Sequence, residues 1–137
     1  MQLKDVMTPG VEVIAPEASI YEAAEKMSHR DVGPLPVCDG ERLVGMLTDR
    51  DITVRAVAAG KVPSECKVRD VMSHEVKYIY DDESTEDAAK NMAELQMRRL
   101  PVLNREKRLV GILSLGDLAL KKKSSAADAL KGVSRHT

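Results

Sequence analysis

Apolar and polar positions along this chain follow two periods, and their alternation predicts the elements. Val11–Ala15 is short and β-branched, the pattern of a strand. Ile20, Ala23, Ala24 and Met27 then recur at helical spacing and make one apolar face. Ser19 precedes that face and Glu22 comes three residues later, the pattern of a capping box. Leu35–Cys38 and Arg42–Leu47 read as two strands around the turn dipeptide Asp39-Gly40. Thr48 opens a second helix that the pattern carries to Gly60, a C-terminal stop.

The same order is then written again. Asp5-Val6-Met7 recurs as Asp70-Val71-Met72, an offset of 65. That offset aligns Val11 with Val76, Ile14 with Ile79, Ser19 with Ser84, Ala23-Ala24 with Ala88-Ala89, and Met27 with Met92. Leu35-Pro36-Val37 falls on Leu100-Pro101-Val102. One inserted residue moves the offset to 66, where Arg42-Leu43-Val44-Gly45 meets Arg108-Leu109-Val110-Gly111 and Asp51 meets Asp117. The second copy predicts a strand near Val76–Tyr80, a helix from Ser84, strands Leu100–Leu103 and Arg108–Leu113, and a helix from Ser114. Its hairpin loop, Asn104–Lys107, is the longer one. The expected architecture is α/β (α+β): two units of strand–helix–strand–strand–helix, residues 1–64 and 65–123, packed with pseudo-two-fold symmetry. Residues 124–137 form a tail, with Ala126, Ala129, Leu130 and Val133 at the spacing of a short helix.

Composition narrows the function. Lys+Arg numbers 21 against Asp+Glu 22, a net charge of −1, without the basic excess of a nucleic-acid binder. There is no Phe or Trp and only three Tyr, too few for a base-stacking platform. No apolar run approaches the roughly 20 residues of a membrane helix. The start MQLKDVMTPG has no signal-peptide core, so the expected compartment is the cytoplasm. Cys38, Cys66, His29, His74 and His136 lie at none of the usual metal spacings. Cys38 ends an apolar strand and reads as core; a zinc site using Cys66 or His74 is a minor alternative, and no metal site is assigned. No hydrolase elbow, phosphate loop or paired metalloprotease motif occurs, so no catalytic residue is assigned. Asp81-Asp82-Glu83 precedes the Ser84 cap and reads as helix-dipole and solvation charge. Lys121-Lys122-Lys123 reads as a solvated helix end.

The candidate chemistry lies where each second strand runs into its second helix. Thr48 with Asp51, and Ser114 with Asp117, put a hydroxyl and a carboxylate one turn apart at a helix start. Backbone N–H groups there suit an anion, the hydroxyl can donate to phosphate or ribose, and the carboxylate suits ribose hydroxyls. The same tetrapeptides are close to capping boxes, and the two readings are compatible.

The repeat resembles the CBS domain, and the pair resembles a CBS-domain tandem, the Bateman module. The resemblance rests on Asp-Val-Met, on Leu-Pro-Val, and on Gly45-Met46-Leu47-Thr48-Asp49-Arg50-Asp51 with Gly111-Ile112-Leu113-Ser114-Leu115-Gly116-Asp117. It covers about residues 3–120, and the chain is also similar to small stand-alone members of the hypoxic-response type. The resemblance implies a non-catalytic sensor of adenosyl ligands: AMP, ADP, ATP, S-adenosylmethionine or NAD. No cofactor is required. It implies ligands in the cleft between units, signalling by conformational or assembly change, a homodimer, and an unidentified protein partner as an open possibility. A first site is expected from Met46, Thr48, Asp49, Arg50 and Asp51, with Ser73, Lys77, Met97 and Arg98 contributed by the other unit. A second is expected from Ile112, Ser114 and Asp117, with Thr8, Val32 and Gly33 crossing over. Arg98-Arg99 replace the neutral Gly33-Pro34 of the first copy, which favours phosphate at the second site. The alternative is a protein–protein interaction module with vestigial ligand sites.

Overall fold

A computed structural model describes residues 2–121, and the tail readings, including Lys122, Lys123 and residues 124–137, lie outside them. The chain packs as two compact units, and their borders are not those of the repeat. One unit is Glu12–Val76; the other joins the start of the chain, through Val11, to the chain from Lys77 onward.

The Glu12–Val76 unit is built on helix α1 (Ile20–Arg30), the hairpin β1 (Leu35–Asp39) and β2 (Arg42–Leu47), and helix α2 (Asp49–Asp51). Ser19 Oγ accepts from the Glu22 N–H at 3.1 Å, half of the expected box, and Asp31 closes α1 in the left-handed conformation. The apolar face of α1 buries Ile20, Ala23 and Met27 against Leu35, Val37 and Leu47. The same core takes in Cys66, Val68, Val71 and Met72, residues the repeat counts with the second copy. Backbone bonds hold them there: Ile20 N–H donates to the Cys66 carbonyl, and Val68 N–H to that of Ala18.

Two expectations need correction in this unit. Val11–Ala15 is not a strand; it contributes one parallel bridge, Ile14 with Val37. Gly10 at φ +64° and Pro16, which has no N–H, bracket the stretch, and only Ile14 is fully buried. The second helix also changes character: after Asp51 it widens to a π-helix, Ile52–Val57. The Thr53 hydroxyl donates to the Asp49 carbonyl, occupying an acceptor of the first turn. Bonds from Ala58 N–H to the Thr53 carbonyl and from Lys61 N–H to the Ala56 carbonyl then span five residues.

The other unit repeats the plan with β3 (Ile79–Tyr80), helix α3 (Thr85–Leu95), the hairpin β4 (Arg99–Leu103) and β5 (Leu109–Ser114), and helix α4 (Leu115–Lys121). Here Ile79 and Tyr80 do pair in parallel with Val102 and Leu103, so the sheet order is β3-β4-β5. The expected Val76–Tyr80 strand shortens to those two residues. Leu3 and Val6 are buried among Ala88, Met92, Leu100, Val102 and Leu118. Leu3 N–H donates to the Glu83 carbonyl and Lys4 N–H to that of Asp81. The acidic run is structural here: Asp82 takes both 2.8 Å bonds from Arg105, which also stacks 4.0 Å over the Tyr80 ring. That guanidinium holds the Asp82 carboxyl below its usual range.

Each hairpin carries the same bulge. Val37 faces Gly45 while Cys38 faces Leu43, and Val102 faces Gly111 while Leu103 faces Leu109. The facing glycines have a common purpose. A Cβ on Gly45 would meet Met72 Sδ at 2.7 Å and the Ser73 carbonyl oxygen at 2.8 Å. On Gly111 it would meet Met7 Sδ at 2.7 Å and the Thr8 carbonyl oxygen at 2.9 Å. Each Asp-Val-Met segment is thus laid across the hairpin of the opposite copy. Gly45→Ala or Gly111→Ala is expected to lower stability by about 1–3 kcal/mol, because backbone cannot yield as a side-chain tip can. Chemical denaturation of each variant reads this out; a loss below a few tenths would show that the strap shifts freely.

Candidate functional site

Two polar constellations sit at matching places. In the first, Thr48 is extended (φ −115°, ψ 162°) and directly follows β2. Its hydroxyl oxygen accepts from the Asp51 N–H at 3.1 Å, and Asp51 Oδ2 accepts from the Thr48 N–H at 2.9 Å. In the second, Ser114 Oγ accepts from the Asp117 N–H at 3.1 Å, and Asp117 Oδ2 from the Ser114 N–H at 3.0 Å. Both are complete capping boxes, so the structural reading of these tetrapeptides holds. It leaves chemistry available, since each hydroxyl keeps its own proton to donate and each carboxylate keeps unused lone pairs.

The strap locks the strand just ahead of each box. Met46 and Ser73 exchange two backbone bonds of 3.0 and 2.8 Å, and Thr8 and Ile112 exchange two of 2.9 and 3.0 Å. A second backbone contact fixes the residue just after each cap. Asp49 N–H donates to the Gly33 carbonyl at 3.2 Å, and Leu115 N–H to the Arg98 carbonyl at 3.0 Å. A Cβ on Gly33 would come 3.2 Å from Asp49 Oδ1, a tight approach to the tip of an exposed side chain.

The residues predicted to bind ligand divide evenly between the two compact units. Met46, Thr48, Asp49, Arg50, Asp51, Ser73, Val32 and Gly33 belong to the Glu12–Val76 unit. Thr8, Lys77, Met97, Arg98, Arg99, Ile112, Ser114 and Asp117 belong to the other. Ser73 of the second copy is expected at the first box and Thr8 of the first copy at the second, and each is brought to that hairpin, paired with Met46 and with Ile112. Each pairs with a strand of its own unit, because the Asp-Val-Met segment before it has already changed sides. Gly33 likewise contacts the first box and Arg98 the second.

Sequence reasoning missed Arg55. Its guanidinium lies 3.9 Å from Asp51 Oδ1, and its Nη1 donates to the Val71 and Met72 carbonyls at 3.3 Å. The available signal was its place four residues after Asp51. Arg55 ties the first box to the strap segment that crosses Gly45.

Neither cysteine is placed as a ligand. Both are buried, and burial pushes the Cys38 thiol up to about 11. Among the described residues no group of three or more His, Cys, Asp or Glu side chains gathers around a point. No helix among them is long and apolar enough to cross a membrane.

Comparison with known proteins gives the same outline. The family model for the CBS domain matches residues 3–57 and again 68–123. The CBS domain-containing protein YhcV of Bacillus subtilis is 43% identical over 134 residues, spanning 96% of this chain and 94% of that protein. The crystal structure of Hypoxic Response Protein I with two coordinated zinc ions has a TM-score of 0.78 at 36% identity, over 88% of this chain and 98% of that one. The crystal structure of CBSX2 in complex with AMP has a TM-score of 0.75 at 29% identity, covering 90% and 96%. The CBS domain pair of protein MJ0100, in complex with 5′-methylthioadenosine and S-adenosylmethionine, has a TM-score of 0.75 at 26% identity, covering 90% and 97%.

Two measurements check this geometry. Thr48→Ala or Ser114→Ala is expected to cost about 0.5–2 kcal/mol of stability, and Thr48→Ser far less, since only the capping oxygen is at stake. Equal losses for the alanine and serine variants in denaturant titrations would refute the cap. Native protein at pH 7 should react slowly with a thiol reagent at Cys38 and promptly once unfolded; fast labelling of Cys38 in the native state would show that the core opens there.

Proposed function

The chain belongs to the CBS domain family, carrying two tandem copies, and from that premise we propose that it is a non-catalytic regulatory module for adenosyl ligands. The single observation that carries the reading is the duplicated hydroxyl–carboxylate box at the end of each hairpin. Each box presents a donor and an acceptor about one helical turn apart, the complement of a ribose edge. The complexes of CBSX2 with AMP and of MJ0100 with methylthioadenosine and S-adenosylmethionine supply the ligand class.

Signalling arises from the double use of these side chains. A ribose that bonds to the unused lone pairs of Asp51 or Asp117 shares the carboxylate with its cap. The ligand therefore bears on the first turn of α2 or α4. In the Glu12–Val76 unit Arg55 relays such a change to the carbonyls of Val71 and Met72. The strap segments, each lying just ahead of a border between the two compact units in sequence, are the elements that respond. In this reading the protein works in the cytoplasm as a homodimer, and a partner senses the altered assembly. The binding set is Met46, Thr48, Asp49, Arg50, Asp51, Ser73, Lys77, Met97 and Arg98, with Thr8, Val32, Gly33, Arg99, Ile112, Ser114 and Asp117.

Thermal unfolding of nucleotide-stripped protein tests this. AMP, ADP, ATP, S-adenosylmethionine, NAD and a cytidine control are titrated separately. A ligand of the folded state raises the melting temperature with its concentration. Adenosyl compounds should do so and cytidine should not. The Asp51→Asn, Asp117→Asn double variant retains acceptors for the Thr48 and Ser114 N–H groups, so its unliganded stability should drop by only about 1 kcal/mol while affinity falls at least tenfold. Unchanged affinity would remove these residues from the site. The absence of any shift at millimolar ligand would favour the interaction-module alternative.

A further inference from the structure

Two straps cross the hairpins, residues 67–73 over β2 and residues 2–8 over β5, and their main chains are held alike. Val68 N–H donates to the Ala18 carbonyl and Arg69 N–H to that of Pro16. At the matching places Leu3 N–H donates to the Glu83 carbonyl and Lys4 N–H to that of Asp81. Each strap then exchanges two backbone bonds with the strand it crosses. The side chains around these bonds are not alike, and the differences leave residues 2–8 the less firmly held.

Glu17 clamps the first strap. One of its carboxylate oxygens meets Lys67 at 2.8 Å and the other meets Arg69 at 2.9 Å. Such a shared network holds better than an isolated exposed pair. Arg55 adds bonds to the Val71 and Met72 carbonyls of the same strap. In the second copy the position of Glu17 is Asp82, and those of Lys67 and Arg69 are Gln2 and Lys4. Asp82 gives both oxygens to Arg105, from the hairpin loop. Gln2 has no charge, and among the described residues Lys4 makes no ion pair; it is the weakest of the influences on Asp82.

The cores differ in the same sense. Ile20 is fully buried in one core with Val68. Its counterpart is Thr85, also fully buried, whose hydroxyl has no hydrogen-bond partner among the described residues. Thr85 directly follows Glu83 and Ser84, the residues that hold Leu3 and Gln2. A buried hydroxyl without a partner is unfavourable, and admitting water relieves it. The methionines follow suit, since Met72 is 5% exposed and Met7 only half-buried.

We infer that residues 2–8 form a releasable strap, which lifts from its unit without unfolding it, while residues 67–73 stay down. Lifting withdraws Leu3 and Val6 from Met92, Leu100 and Leu118. It also unpairs the N–H and carbonyl of Ile112, two residues ahead of Ser114. Anything that binds the closed or the lifted form better shifts that equilibrium. The first unit, clamped by Glu17 and Arg55, has no equally accessible opening. The inference holds whatever the boxes bind.

Amide hydrogen exchange of the ligand-free chain, read residue by residue by NMR, tests this. The Leu3, Lys4, Thr8 and Ile112 amides should exchange as one group, about tenfold faster than those of Val68, Arg69, Ser73 and Met46 once intrinsic rates are removed. Thr85→Val keeps nearly the same shape and removes the hydroxyl. It should slow the Leu3 group about tenfold and leave the Val68 group within about twofold. Glu17→Gln should speed the Val68 and Arg69 amides severalfold and leave the Leu3 group unchanged. Equal protection of the two straps in the wild type would overturn the inference. So would a Thr85→Val that slows the amides of α3 and β4 as much as those of the strap, or slows none, or a Glu17→Gln without effect. The wild-type comparison and the exposed Glu17 variant leave the core untouched, so they decide the matter even where Thr85→Val fails to fold.

Discussion

The structure depends on one close approach, a methionine and a backbone segment lying directly on a glycine of a β-hairpin. Met72 and Ser73 cross Gly45, and Met7 and Thr8 cross Gly111, with sulfur and carbonyl oxygen inside the space a Cβ would fill. Two reciprocal backbone bonds seal each crossing, Met46 with Ser73 and Ile112 with Thr8. Protein interiors are packed too tightly for such a contact to tolerate an added carbon without rearrangement. The crossings decide which parts of the chain share a core. They place Val71 and Met72 in one core and Leu3 and Val6 in the other. Neither compact unit is therefore a contiguous stretch of one repeat plus its own Asp-Val-Met segment.

The boxes lie two residues beyond those crossings, which gives them a fixed frame. Strand β2 is pinned at Met46 before it reaches Thr48, and β5 at Ile112 before Ser114. Each cap then uses both partners in both directions. A side chain that stabilises the unliganded helix start and also meets a ligand couples binding to local structure with no additional part. Such coupling requires only that ligand and cap draw on the same side chain. The widened turn from Ile52 to Val57 belongs with this picture, since π-helical stretches often mark functional positions.

Duplication kept the backbone and released the side chains. The bulge, the glycine, the crossing and the box appear twice at matching positions. These features depend on each other, so a change in one copy is costly. The side chains beside each box are not so bound. Where the first copy has Gly33 and Asp49 the second has Arg98 and Leu115, so the two boxes differ in charge on a common frame.

The repeat, the helix starts at Ser19 and Ser84, both hairpins and the location of both boxes were legible in the amino-acid order. These are local: caps, turn residues and apolar spacing act within a few residues, so their signals survive in one dimension. Aligning the copies also set Arg98 and Arg99 against Gly33 and Pro34, which already made them unlike in charge. Packing fixed how each Asp-Val-Met segment lies on the opposite copy, methionine over glycine, while the resemblance by itself already puts Ser73 and Thr8 at the opposite copy's box. Packing also reduced Val11–Ala15 to one bridge, widened the helix after Asp51, and brought Arg55 onto the Val71 and Met72 carbonyls. Those outcomes join residues far apart in the chain through side-chain contact and backbone hydrogen bonds. By its residues alone an Asp-Val-Met motif reads the same whether it packs on its own repeat or on the other one, and the three-dimensional fit of methionine over glycine tells the two apart.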